Sequence, residues 1–147
     1  MPESLPTQIG WLFTLVVAGL AWWRGGHPER LGASLMVIAG VAVPIAHHLL
    51  PTSKASVALL MIDAAMAAGF LGLAIRYASL WLGAAMLLQA MQFSLHAFYI
   101  VIEKAHDRLY SIINNLDTIG VILCVLVGTL IAWRRRNRDA RRLAQAV

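Results

Sequence analysis

Five apolar stretches occupy almost the whole of this 147-residue chain, and their lengths decide its fold class. They run over Ile9–Trp23, Leu31–Leu50, Ala55–Ile75, Tyr77–Ile102 and Ser111–Trp133. A helix that crosses a bilayer needs about 20 mostly apolar residues, with a tolerated range of roughly 17–25. The sequence therefore predicts an all-α fold: a polytopic membrane helical bundle with five transmembrane helices. These form a single integral membrane domain, followed by a basic tail over 134–147. Composition agrees. Only 13% of residues are charged, against about 25% in soluble domains. The longest break, Glu103–Tyr110, is eight residues, which leaves no space between spans for a soluble catalytic module. Met1–Gln8 carries Glu3 and neither Lys nor Arg, unlike the basic start of a secretory leader, so the N-terminus is expected to be retained.

Charge orients the bundle. Cytoplasmic loops carry an excess of Lys and Arg. With five spans the two ends fall on opposite sides. A cytoplasmic C-terminus places Arg24, Arg30, Arg76, Arg134, Arg135, Arg136, Arg138, Arg141 and Arg142 inside, and Lys54, Lys104 and Arg108 outside. Nine against three predicts N-terminus outside and C-terminus inside. Trp22, Trp23, Tyr77, Trp81 and Trp133 are then expected as a cytoplasmic aromatic belt. The same arginines account for the net charge of +5. Arg134, Arg135, Arg136 and Arg138 read as a topology and lipid anchor, and nucleic acid is not expected as a partner.

Lipid tails are as apolar as Leu, so small residues and polar contacts must bring such helices together. The fifth span offers Gly120, Cys124 and Gly128 at intervals of four, and the third offers Ala64, Ala68 and Gly72, with Ala65 and Gly69 alongside. Both stripes are expected to serve packing within the chain. Pro44, inside the second span, is expected to kink it just before His47 and His48.

The polar residues collect in one half of the membrane. Gln89, Gln92 and His96 share a face of the fourth span, and Asn114 and Asp117 share a face of the fifth. Asp63 is the lone ionisable residue between Ala55 and Ile75. Counted at 1.5 Å per residue from the outer ends, His47 and His96 lie roughly 5–10 Å down, Asp117 about 9 Å and Asp63 about 12 Å. An acidic residue at a helix centre costs about 2.5–3.5 kcal/mol on insertion scales and seeks a partner inside the bundle. A pocket of Asp63, Gln92, His96, Asn114 and Asp117, opening outward, is the resulting expectation. The plainer readings are that His47 and His48 mark a helix end at the headgroups, that Asn114 and Asn115 cap a helix start, and that His106 and Asp107 are simply solvated.

Imidazole and carboxylate suit a divalent metal, and two His on different spans suit haem b. His47, His48 and His96 are the candidate ligands. No H-E-x-x-H, C-x-x-C-H or Cys cluster is present. The inner half lacks the polar residues that a channel or proton pump needs. The block Arg76–His96, with its Arg-Tyr turn, Leu-Trp entry and later Gln and His, resembles a group of small multi-span bacterial membrane proteins. That resemblance implies a bacterial inner-membrane location and no particular activity. Three functions fit: a non-enzymatic accessory subunit of a larger membrane complex, a haem- or metal-binding membrane protein, and a small transporter. The topology is checked with reporters active only in the cytoplasm. One fused to the C-terminus is expected to be active and one fused to the N-terminus silent; like behaviour at both ends rules out an odd number of spans.

Overall fold

A computed structural model describes residues 5–103 and 107–145, which form five helices. These are α1 (Leu5–Arg24), α2 (His27–Leu49), α3 (Thr52–Tyr77), α4 (Leu80–Val101) and α5 (Arg108–Gln145). Every backbone group in hydrocarbon must find its partner within its own segment, which is why long apolar segments fold as helices. Among the described residues, four segments, in α2 to α5, are long and apolar enough to cross a membrane. The first helix is 20 residues long. α5 runs on to Gln145, so the stretch after Trp133 extends the fifth helix.

Short connections make consecutive helices antiparallel neighbours, and α5 also packs on α1 and α2, closing the set into a bundle. One end carries the α1–α2 and α3–α4 turns with Arg24, Arg30, Arg76 and the Arg134–Arg142 segment. It is called the arginine end below. The α3–α4 reversal falls at Ala78 and Ser79, so Tyr77 closes the third helix instead of opening the fourth. Ala78 adopts the left-handed conformation (φ 46°, ψ 45°), and its N–H reaches the Ala74 carbonyl at 2.9 Å. Glycine usually fills this helix-ending role because it has no Cβ to strain.

The α1–α2 turn is the pair Gly25–Gly26. Glu29, buried on the first turn of α2, accepts the Gly26 N–H at 2.7 Å. Arg136 donates from α5 to the Gly25 carbonyl. One arginine of the expected anchor thus ties the last helix to the first hairpin, although it is exposed like Arg134, Arg135 and Arg138.

Large side chains set into glycines define the helix contacts. A Cβ on Gly40 of α2 would lie 2.9 Å from the Trp11 ring, and one on Gly69 of α3 would lie 2.9 Å from Leu35. On α5, a Cβ at Gly120 would meet Leu88 at 2.8 Å and one at Gly128 would meet the Trp81 ring at 2.5 Å. The Trp81 ring also covers Gly32 of α2, beside Phe70. Trp81, on the first turn of α4 near the arginine end, is therefore buried between helices. The third-span stripe behaves differently from Gly120 and Gly128: Ala68 and Gly72 are exposed and Ala64 is only half-buried. The face that α3 turns inward is Leu59, Asp63, Met66 and Phe70.

These contacts separate two substitutions of the same kind. Gly128→Ala is expected to destabilise the protein by about 1–3 kcal/mol, since overpacking a tight site forces neighbours apart. Gly72→Ala meets nothing within 4 Å and is expected to be neutral or to stabilise by up to about 1 kcal/mol through helix propensity. Unfolding in detergent measures both; a change of like sign and size would remove the packing account.

Candidate functional site

The polar residues gather between α3, α4 and α5, in the half of the bundle away from the arginine end. The α3–α4 hairpin sets its helices antiparallel, which brings Asp63 to the level of His96. The His96 Nδ1 contacts Asp63 Oδ2, and both side chains are buried. Charged or polar, this contact joins two helices that apolar burial alone could not hold together in lipid.

Two tyrosines cover the pair. The Tyr110 ring lies 5.4 Å from His96, and Tyr99 meets Tyr110 edge-on at 5.0 Å. Asp107 holds this aromatic lid. It accepts the Tyr99 hydroxyl at 2.7 Å and the Tyr110 N–H at 2.9 Å. The second bond is an N-cap on α5, which satisfies one of the four donors that every helix start leaves without an internal partner. The cap of α5 is therefore Asp107, a residue expected to be merely solvated. Asn114 and Asn115 lie nearly two turns inside the helix. His106 lies outside the described residues. A cavity of about 10 Å³, lined by Ser56, Leu59, His96, Ile100 and Tyr110, gives His96 room beside it for about one water.

Below the pair runs a chain of amides. Gln89 Nε2 donates to Gln92 Oε1 at 3.2 Å, and Gln92 Nε2 donates to Asn114 Oδ1 at 3.2 Å. The second bond crosses from α4 to α5. Asp117 sits one turn further along α5 and is 1% exposed. Neither of its carboxylate oxygens has a hydrogen-bond partner among the described residues. No hydrogen bond joins Asp117 to the His96–Asp63 contact. The five expected pocket residues thus fall into a buried pair (Asp63, His96), an amide bridge (Gln92, Asn114) and a solitary acid (Asp117). Gln89, Tyr99, Asp107 and Tyr110 complete the set. Their signal in the sequence was spacing: Gln89 one turn from Gln92, and Asp107 three residues before Tyr110.

The candidate cofactor ligands do not come together. His47 and His48 are both exposed at the end of α2, a helix whose main neighbours are α1, α3 and α5. His96 is buried and turned to Asp63. Among the described residues no three His, Cys, Asp or Glu side chains are grouped to hold a metal. Cys124 is half-buried beside the apolar core. Ser94 donates to the Ala90 carbonyl within its own helix and is exposed, so no base activates it. What the arrangement can do chemically is bind helices to one another, through the buried His96–Asp63 contact and the Gln92–Asn114 bridge.

Removing either partner of the buried pair leaves the other polar side chain without its contact. His96→Ala and Asp63→Ala are both expected to lower stability, with a coupling energy of about 1–2 kcal/mol in the double-mutant cycle. Unfolding in detergent measures this, and additivity of the two losses would mean the contact contributes nothing. Set against known protein families, characterised proteins and solved structures, the chain matches none, so its function rests on this geometry.

Proposed function

We propose that this chain is a five-span protein of the bacterial inner membrane, N-terminus outside and C-terminus in the cytoplasm, acting as a non-enzymatic accessory subunit of a larger membrane complex. The observation that carries the reading is the outward face of α3. Ala65, Ala68 and Gly72 are exposed along it, between Met61, Leu71 and Ile75. A Cβ on Gly72 would meet nothing within 4 Å. Small residues let helix backbones approach closely in lipid, and here the chain's own helices make no use of them. The polar cluster supports the same reading, because most of its members are engaged in contacts between helices. The haem or metal alternative loses support, since His47 and His48 stand apart from His96 in burial and packing. A transporter gains none, because the polar residues stop short of the arginine end.

Site-specific cross-linking in native membranes tests this. In a Cys124→Ser background, a cysteine replacing Gly72 is expected to yield one discrete adduct with another membrane polypeptide. A cysteine replacing Leu87, exposed on α4, is expected to yield none. Absence of an adduct at both positions, with the protein migrating as a monomer in mild detergent, would remove the subunit reading.

A further inference from the structure

We propose that Arg134, Asn137, Arg138 and Arg141 form a seat for the phosphate of an anionic lipid headgroup at the arginine end. α5 continues as one helix past Trp133, which gives the basic segment a fixed geometry. Positions 134, 138 and 141 follow the i, i+4, i+7 spacing of a single helix face. With Asn137 they line one cleft of about 210 Å³. No carboxylate lines this cleft; Asp139 lies about 100° around the helix from Arg138.

The arginines of this segment divide into separate tasks. Arg136 is turned inward to the Gly25 carbonyl. Arg135 and Arg142 are exposed outside the cleft. The three that line it present guanidinium groups, which match phosphate oxygens with paired N–H donors. Asn137 adds a neutral amide donor to the same space.

Depth selects a lipid as the source of the phosphate. Arg138 and Arg141 lie about 6 and 10 Å along the helix from Arg134. The headgroup zone is roughly 5–7 Å thick on each side of the hydrocarbon. Arg134 and Arg138 thus occupy the zone where lipid phosphates lie, and Arg141 reaches the layer just beyond. Trp133 marks the boundary one residue earlier, an interfacial position that tryptophan favours. The proposal rests on α5 crossing the membrane, and it is independent of the docking face on α3.

The test uses the full-length protein in neutral detergent, titrated with phosphatidylglycerol or phosphatidylcholine, with bound lipid counted by native mass spectrometry. Arg138→Gln with Arg141→Gln is compared with Arg135→Gln with Arg142→Gln, a pair that removes the same charge outside the cleft. The wild type is expected to prefer phosphatidylglycerol. The cleft pair is expected to lose about tenfold more affinity than the control pair, the loss of one to two charge-assisted hydrogen bonds. Equal losses in the two pairs would mean diffuse attraction and overturn the seat. No preference for phosphatidylglycerol in the wild type would overturn it as well. Full displacement of lipid by inorganic phosphate would overturn the assignment to a lipid. All four positions are exposed, and unchanged thermal stability of both pairs confirms that folding is not the cause.

Discussion

The seating of Trp81 against Gly128 and Gly32 is the contact on which the bundle depends. Water supplies no driving force for bringing apolar helices together inside a bilayer, so close packing has to. One indole from α4 fills the space that two missing side chains leave on α5 and α2, with Phe70 of α3 beside it. Four helices therefore meet around one ring. Trp11 on Gly40, Leu35 on Gly69 and Leu88 on Gly120 repeat the same device pair by pair around the bundle. Any one of these glycines is a place where the next larger residue forces backbones apart.

The polar site is a consequence of that packing. With α3 and α4 held antiparallel by the Ala78 reversal, Asp63 and His96 come to one level and engage each other. With α4 held on α5 through Leu88 and Trp81, Gln92 reaches Asn114. Asp117 is the exception. It is nearly inaccessible, and neither oxygen has a hydrogen-bond partner among the described residues. Unsatisfied buried acids are costly, and costlier in lipid than in a soluble core. It is the least satisfied polar group of the site.

Helix positions are legible in the sequence to within about four residues, because hydropathy over twenty residues is a strong signal; the exception is the end of α5, whose charged extension from Trp133 to Gln145 carries no such signal. The depth count also placed Asp63 and His96 at similar levels. Facing was harder to read. The third span carries Ala64, Ala65, Ala67, Ala68, Gly69 and Gly72, so small residues surround much of the helix and no stripe marks the inward side. The glycine that packing uses there, Gly69, differs from the Ala64–Ala68–Gly72 row. Trp81 was read from its position near a span end, where tryptophan commonly meets headgroups. Its burial depends on glycines 49 and 47 positions away in the chain, which no local pattern reveals. From the sequence Asp107 reads as a solvated charge and Arg136 as a lipid anchor, because their partners, Tyr99 and the Gly25 carbonyl, are set by tertiary contact.

The bond from Arg136 to the Gly25 carbonyl also bears on the order in which the protein assembles. Translation proceeds from the N-terminus, so the α1–α2 hairpin is made well before α5 exists. Until Arg136 emerges, the Gly25 carbonyl has no such donor, and α1 lacks one of its two main packing partners. The first helix is thus the one that waits longest for its neighbour. Synthesis of the last helix completes the bundle and fastens the first hairpin in the same event, so maturation of the fold is timed by its C-terminal segment.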